Sequence, residues 1–384
     1  MAASLMMTGC TDQLANADVV DDEGIDGTPV VVETEFVTDP TRGVYMSTTG
    51  FYQRFSMYGV YSGSLRWNDI LQTRNADGSW KSSKTMSWPA KAMDVFAIMP
   101  GSDAPVLSNI VMKKPTGGTA DFTKSFEYEV PDSNKHQVDL MYASYLNITK
   151  GTNNGKVKLT FRHGLSILRF YIRLLITDID VTVKSVSLHN VRTSGKFEFN
   201  KKTNSSGTWT PSDEKWGKVT QVFGEPVALQ YNMQLLCSGD SMLFLLPKQT
   251  TTAWVSRGTD ANSVKLYQST AEADAAHDSY LEVVCKISKD NGSGGKVYLR
   301  PDYSGWQDAD EWVSVYFAYS KKTWNAATTN NVNIKFDVPY DANGNPIELP
   351  PYTPTTNLGY SVTIEEDWTD DSDNSMYIGF VDNN

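Results

Sequence analysis

The side chains that most often carry out catalysis are scattered along this chain of 384 residues. No metal-binding spacing such as H-E-x-x-H includes any of the four histidines, which are His136, His163, His189 and His277. Two of the three motifs of penicillin-binding enzymes are imitated by Ser212-Asp-Glu-Lys215 and Ser372-Asp373-Asn374, but no K-T-G motif follows them. C-x-x-C, G-x-S-x-G and phosphate-binding glycine motifs do not occur either. The sequence therefore predicts no catalytic residue and a protein that is not an enzyme.

Two other groups of residues have the chemistry to bind a small ligand. The acidic run at residues 367–373 offers the hard oxygen ligands that calcium prefers, but it lacks the glycine and the final bidentate glutamate of an EF-hand loop. A sugar could stack on five aromatic residues, which are Trp306, Trp312, Tyr316, Tyr319 and Trp324. Because Trp312 and Tyr316 also have the spacing of one strand face, core packing is the favoured interpretation. We therefore expect no metal ion and no cofactor.

Cys10 lies in a sequence context in which cysteine becomes acylated. Met7-Thr8-Gly9-Cys10 resembles the lipobox that ends a bacterial lipoprotein signal, with Met7 in place of the usual leucine. No Lys or Arg precedes Cys10, and the apolar run is too short to span a bilayer. We therefore expect residues 1–10 to be a truncated signal with lipidation at Cys10. The alternative is a chance match, which leaves Cys10 as an ordinary thiol.

The other two cysteines, Cys237 and Cys285, lie in segments of alternating apolar residues. The residues that share a predicted strand face with them are Leu281, Val283 and Ile287 for Cys285, and Met233 and Leu235 for Cys237. We therefore expect both thiols to point toward a core. The sequence leaves open whether they form a disulfide.

The formal net charge of -11 is distributed unevenly along the chain. Residues 1–41 contain 9 acidic and no basic residues, and residues 336–384 contain 10 acidic and no basic residues. All 34 basic residues lie between Arg42 and Lys335, where they outnumber the acidic ones by 8. The acidic ends are either simply solvated or attracted to the basic body of another copy. A pI of about 4.9, with no basic cluster among aromatic residues, argues against a nucleic-acid partner.

The elements that must position any binding surface are short strands. Alternating segments separated by Gly, Asn, Ser, Asp and Pro run through the chain and predict a β-sandwich architecture. The first of them covers residues 30–36, where Val30, Val32 and Phe36 share one face and two glutamates occupy the other. We therefore expect an amphipathic strand at the start of the folded part.

Composition also predicts the domain organisation. Residues 11–29 are acidic and lack aromatic residues, which is typical of a disordered tether. The polar residues 149–155 contain two glycines and two asparagines and are the best linker candidate. We therefore expect one β-sandwich over residues 30–153 and a second over residues 154–384.

Six sequence segments occur in an order that one bacterial protein family shares. They are Trp88-Pro89 followed by MDVFAIMP (93–100), QVDLMYA (137–143), VKLTFRHGLSILRFYI (157–172), FLLPKQ (244–249), Trp324 followed by NVNIKF (331–336), and YSVTIEEDW (360–368). Behind a lipobox, these segments resemble the fimbrillin (Mfa-like) family of Bacteroidota surface lipoproteins. The chain departs from the family pattern at Lys248, which interrupts the usual Leu-Pro-Gln, and after Trp324, where an expected glycine is absent.

The resemblance implies an all-β fold of two tandem transthyretin-like (Ig-like Greek-key) β-sandwich domains. It implies a fimbrial (pilus) structural subunit that supports cell adhesion and polymerises with other fimbrial subunits. Export as a lipoprotein would place it at the outer membrane and cell surface, attached through the lipid on Cys10. The alternative is a monomeric surface lipoprotein that binds a glycan or a host protein.

The resemblance also implies a processing step. In fimbrillins a trypsin-like protease cuts after an arginine just past the first strand. Arg42, followed by Gly43, has that position here, and Arg54 is the alternative. An ordinary solvated loop cation is an equally simple interpretation of Arg42.

Cleavage would release the first strand, with Val30, Val32 and Phe36, and open an apolar groove for strand addition. A C-terminal strand of another copy is expected to enter that groove. The two candidate donor strands are residues 376–381, with Ile378 and Phe380 on the buried face, and residues 360–364.

Overall fold

The computed structural model describes residues 25–36, 53–62, 64–101, 112–113, 125–200, 207–236, 242–259, 265–267, 269–302, 304–319, 323–336 and 364–365. Within these residues the regular structure is almost entirely β-strand, with one α-helix and one short 3₁₀ helix. The strands form sheets that pack in sandwich-like layers, so the expected all-β sandwich fold is confirmed.

The strands are numbered in chain order. The first ten are β1 (Ile25–Pro29), β2 (Val31–Phe36), β3 (Arg54–Tyr61), β4 (Ser64–Arg74), β5 (Trp80–Ser82), β6 (Ser87–Pro89), β7 (Met93–Met99), β8 (Met112–Lys113), β9 (Ser125–Glu129) and β10 (Met141–Ile148). A 3₁₀ helix (Thr152–Gly155) precedes β11 (Lys156–His163), β12 (Ser166–Leu174), β13 (Asp180–Arg192), β14 (Ser194–Glu198), β15 (Thr208–Pro211), β16 (Trp216–Ala228), β17 (Gln234–Leu235), β18 (Leu243–Leu245), β19 (Thr252–Ala253), β20 (Ser256–Thr259) and β21 (Lys265–Tyr267). Helix α1 (Thr270–Ala276) is followed by β22 (Asp278–Asp290), β23 (Lys296–Leu299), β24 (Trp306–Gln307), β25 (Val313–Ala318), β26 (Thr329–Phe336) and β27 (Ile364–Glu365).

Seven strands form the first sheet, in the order β2-β11-β10-β7-β3-β4-β5. Successive side chains of a strand point to opposite faces, and in β7 Val95 and Ala97 join one apolar cluster while Phe96 and Ile98 join another. The sheet is therefore buried on both faces at its centre. Its second strand, β11, follows the domain boundary predicted at residue 153 and yet belongs to this first sheet.

A four-stranded sheet, in the order β15-β14-β9-β8, combines strands from before and after residue 153. β9 and β14 are antiparallel and pair over five residues each, from Ser125 opposite Glu198 to Glu129 opposite Ser194. The sheet packs its aromatic rings against the first sheet, with centroid distances of 4.4 Å for Tyr142–Phe197 and 5.0 Å for Phe96–Phe199. The two halves of the chain therefore share a sheet and a continuous core.

Two further sheets face each other in the second half. One has the order β17-β12-β26-β27, with β18 also paired to β12, and the other has the order β16-β13-β22-β23-β24, with β19 and β25 paired to β22. β12 and β26 run parallel from Ile167 opposite Thr329 to Leu174 opposite Phe336. Every second residue of both strands is buried, which is the pattern of sandwich strands with one covered face.

The predictions for the two inner cysteines have different outcomes. Cys285 is buried and is a free thiol, so its inward position is confirmed. Cys237 lies outside the described residues. Met233 and Leu235, expected on the same inner face, are exposed, so that prediction was wrong. The reason is the pairing of Leu235 with Tyr171, which places Leu235 on the outer side of β12, where alternate residues are less buried.

Helix α1 has a well-defined start and end. Ser269 Oγ accepts a hydrogen bond from the Glu272 backbone N–H, and the Glu272 side chain accepts one from the Ser269 backbone N–H. The helix ends at His277, which adopts the left-handed conformation with φ of 58°. None of the helices in the described part of the chain has the length and apolar character needed to cross a membrane.

Candidate assembly site

The first two strands pair with strands that lie far along the chain. β1 pairs antiparallel with β6, from Ile25 opposite Pro89 to Pro29 opposite Ser87. Directly afterwards β2 pairs in parallel with β11, and its partners run from Lys156 opposite Val31 to Phe161 opposite Phe36. Residues 25–36 are therefore attached to the fold at both ends, by pairing with β6 at the start and with β11 at the end.

β2 occupies one edge of the seven-stranded sheet and β5 the other, but the two edges meet. Trp80 in β5 donates a hydrogen bond from Nε1 to Thr34 Oγ1 in β2, over 3.0 Å. The Trp80 ring also lies edge-on to Phe55, with centroids 4.7 Å apart, and Phe55 contacts Phe161 of β11 in the same way at 5.1 Å. The sheet curls around this cluster, and β2 closes the gap between β11 and β5.

The inner face of β2 covers apolar side chains. Val32 is only 5% exposed, and Val30 packs against the same cluster, which includes Val157 and Leu159 of β11. Val31, on the outer face, is 52% exposed. Removing this strand would uncover apolar side chains together with the unpaired backbone groups of β11, and these are the two features that a new strand can bind.

Two polar contacts fix the strand in register. The Lys156 ammonium lies 2.6 Å from Glu33 Oε1, and both side chains are close to half exposed. The Val30 backbone N–H donates to the carbonyl oxygen of Met86 over 3.0 Å. With the hydrogen bond from Trp80, these contacts join β2 to β11, to β5 and to the segment before β6.

The structure describes only some of the site residues that the sequence suggested. Val30 and Val32 lie in or beside β2, and for Phe36 only the backbone is described. The predicted positions that lie outside the described residues are Cys10, Arg42, Gly43, Ile378 and Phe380. Arg54, the alternative cleavage site, is exposed at the start of β3.

Of the alternative donor strand at residues 360–364, only Ile364 is described. Together with Glu365 it forms β27, where Ile364 lies opposite Ile334 and Glu365 opposite Asn333 of β26. This antiparallel pairing places β27 at the edge of its own sheet.

Three of the four histidines have structural partners. His163 Nδ1 lies 2.8 Å from Asp139 Oδ2, His277 stacks on Trp216 at 4.3 Å, and His189 Nε2 lies 2.9 Å from Glu282 Oε2. The hydrogen bond from His189, assisted by one from the Ser314 hydroxyl, lowers the pKa of Glu282 to about 2. In the described ranges there is no group of three or more His, Cys, Asp or Glu side chains able to hold a metal ion.

The aromatic residues that could have bound a sugar are divided between core and surface. Tyr319 and Trp324 are buried and stack on each other at 6.0 Å. Trp312 is half-buried, with the ammonium groups of Lys184 and Lys286 within 5.4 and 4.6 Å of its ring centroid. These five aromatic side chains therefore do not form one exposed platform.

Sequence reasoning missed Trp80 and Lys156 as parts of the site. Both lie far along the chain from β2, and spacing alone gives no signal for contacts between distant segments. The alternation of charge and apolar side chains in β2 showed that one face needed a partner, but it did not identify β5 or β11 as that partner.

The chain is similar to known proteins in sequence and in structure. The fimbrillin-like family model matches residues 31–368. The solved structures that are similar include a fimbrial protein from Bacteroides vulgatus, with 15% identity, a TM-score of 0.46, and coverage of 80% of this chain and 95% of that one. Another is a candidate cell adhesion protein from Bacteroides uniformis, with 14% identity, a TM-score of 0.36, and coverage of 90% and 99%. No curated protein matches the sequence.

Proposed function

The chain belongs to the fimbrillin-like family, and we propose from this premise that it is a fimbrial subunit that supports cell adhesion at the cell surface. The observation that carries the proposal is the match of the family model from residue 31 to residue 368, which spans both halves of the chain. Such a protein acts through its surfaces and its assembly with other subunits, so the site that matters is an interface and not a catalytic centre.

We propose that assembly takes place by strand exchange at β2. A protease cuts after Arg42, residues 1–42 leave with β1 and β2, and a C-terminal strand of another copy takes their place. The position of β2 at a sheet edge, next to the strand that carries Val157 and Leu159, supports the exchange of this strand. Backbone pairing with β11 would supply affinity, and alternate side chains would set the register.

The protein reaches the surface, in this proposal, as a lipoprotein acylated at Cys10. The lipid holds the uncut chain at the outer membrane, and cleavage after Arg42 frees the body from its anchor as it opens the groove. Labelling with a fatty-acid analogue tests the anchor, because Cys10→Ala should abolish the label. Equal labelling of both forms would rule the anchor out.

Polymerisation is tested by following oligomer size before and after limited digestion with a trypsin-like protease. We expect ladders of oligomers only after cleavage, and none from Arg42→Ala, while Arg54→Ala behaves as the wild type. If cut and uncut protein stay monomeric alike, strand exchange is wrong and the monomeric binding lipoprotein becomes the better proposal.

A further inference from the structure

The exposed loop between β22 and β23 contains the dipeptide Asn291-Gly292. β22 ends at Asp290, β23 begins at Lys296, and these two residues lie opposite each other in the hairpin. An asparagine followed by glycine can react with its own backbone, because glycine has no side chain to shield the peptide nitrogen after the asparagine. The groups around this dipeptide therefore decide whether the loop is reactive.

The reaction is an attack of the Gly292 nitrogen on the side-chain carbonyl carbon of Asn291. A new N–C bond closes a five-membered succinimide ring, the Gly292 nitrogen gives up its proton, and the side-chain amide nitrogen of Asn291 leaves as ammonia. Water then opens the ring at either of its carbonyl groups, which gives aspartate or isoaspartate at position 291. Water is consumed and ammonia is released, with no change in oxidation state. The reaction is accelerated by a base for the proton and by donors for the oxygen that becomes negative.

Asp290 is in position to act as the base. The Gly292 backbone N–H donates a hydrogen bond of 2.7 Å to Asp290 Oδ1. The carboxylate therefore already contacts the proton that has to be removed, at the distance that general-base catalysis requires. The same contact holds the Gly292 N–H in one direction.

Two backbone N–H groups bind the oxygen on which negative charge develops. Asn291 Oδ1 accepts hydrogen bonds from the N–H of Ser293 at 2.9 Å and from the N–H of Gly295 at 3.0 Å. When the side-chain carbon becomes tetrahedral, this oxygen carries the negative charge, and the two donors stabilise it as an oxyanion hole does. Because Ser293 directly follows Gly292, its hydrogen bond also folds the Asn291 amide back toward the Gly292 nitrogen.

The backbone of the loop holds this arrangement and leaves it open to solvent. The Asn291 N–H donates to the carbonyl oxygen of Gly295 over 2.9 Å. Gly292 and Gly294 have φ of 75° and 82°, which glycine adopts without steric cost. A Cβ at Gly292 would have no neighbour among the described residues. Water, the reactant of the second step, can therefore reach the ring.

The same dipeptide occurs at Asn154-Gly155 and at Asn343-Gly344, which allows an internal comparison. The residue before the asparagine is Asn153 in one case and Ala342 in the other, and neither side chain can take up a proton as a carboxylate does. Residues 343–344 lie outside the described residues, whereas Asn154 is exposed. Asn154 therefore has access to water but no carboxylate before it, and it is the matched reference site for Asn291.

We propose that Asn291 deamidates autocatalytically in the folded protein, through a succinimide, to aspartate and isoaspartate. Asp290 removes the proton from the Gly292 nitrogen, and the N–H groups of Ser293 and Gly295 stabilise the oxyanion. The product adds a negative charge at the exposed end of the β22–β23 hairpin. β22 also pairs with β13 and β25 over its earlier residues, so the sheet persists when the loop changes.

Incubation of the wild-type full chain at neutral pH, followed by peptide mapping with mass spectrometry, tests the proposal. We expect Asn291 to convert at least about tenfold faster than Asn154, and faster in the folded chain than in denaturant, where the loop hydrogen bonds are absent. Isoaspartate should be among the products, since direct hydrolysis of the side chain gives aspartate alone. Slower conversion of Asn291 in the folded chain than in denaturant, or aspartate without isoaspartate, would overturn the inference.

Variants of the full chain test the base. Asp290→Asn keeps an oxygen acceptor for the Gly292 N–H but cannot take its proton, so it should slow conversion at least about tenfold. Asp290→Glu restores a carboxylate and should recover part of the rate. Asp302→Asn is the matched control, because Asp302 Oδ1 likewise accepts the N–H of the residue two positions on, Ser304, at 3.0 Å in an exposed loop. It should leave conversion of Asn291 unchanged. Equal rates in the wild type and Asp290→Asn would refute autocatalysis at this loop.

Discussion

The hydrogen bond between Trp80 and Thr34 should measurably stabilise β2 at its place in the sheet. Thr34→Val keeps the shape of the side chain but removes the acceptor, so the Trp80 Nε1–H loses a partner at 3.0 Å. A donor left unsatisfied in a buried site costs about 1–3 kcal/mol, and the half-buried position of both residues places the expected loss near the lower limit, about 1 kcal/mol. Thr34→Ser keeps the hydroxyl and is the matched control.

Hydrogen exchange of residues 25–36 in the uncut chain is the suitable assay, because it reports local opening and not unfolding of the whole molecule. A loss of about 1 kcal/mol should speed exchange in this segment about fivefold for Thr34→Val and much less for Thr34→Ser. Exchange in β7, at the centre of the sheet, should stay unchanged in both. Equal exchange of β2 in wild type and Thr34→Val would refute the assignment of this bond as a restraint on the strand.

Other positions lead to further predictions. Gly59→Ala should lower the free energy of unfolding, measured by thermal denaturation, by about 1–3 kcal/mol, because a Cβ there would lie 2.6 Å from the Trp67 ring. The depressed pKa of Glu282, about 2, contributes stability that is present above its unfolded pKa and is lost as pH falls through about 2. Between the unfolded pKa of this carboxyl and about pH 2, the free energy of unfolding of Glu282→Gln should therefore change less with pH than that of the wild type. An identical slope in acid unfolding would contradict the role of His189. Burial raises the pKa of the Cys285 thiol, so alkylation mapped by mass spectrometry should reach it only after denaturation; rapid labelling of the folded protein would contradict its burial.

Local periodicity predicted the buried faces of residues 30–36 and 281–287 but not the strands that they pair with. In β12, the alternation of Leu168, Phe170 and Ile172 with polar residues correctly identifies the buried side. The same pattern in β11 correctly places Val157 and Leu159 inward but says nothing about which sheet the strand joins. The sheet that a strand joins depends on contacts between segments far apart in the sequence. Alternation along one strand carries no information about those contacts.

The assembly site could be predicted only in part for the same reason. The inward direction of Val32 follows from its place between Val30 and Thr34 in an alternating segment. The contact from Trp80 joins residues that are 46 positions apart, and its donor lies in a strand of only three residues, too short to predict from pattern. The error at Leu235 has a similar origin, since a two-residue edge strand has no preferred inner face of its own.

The sheet that β9 and β14 share has a mechanical consequence. If subunits are pulled along a filament by fluid flow, two halves joined only by a linker would separate at low force and the linker would extend. Here the five paired positions of β9 and β14, and the rings of Tyr142 and Phe197 beside them, have to come apart together before the halves can part. A subunit built in this way resists tension as one body, so the load passes to the joints between neighbouring subunits.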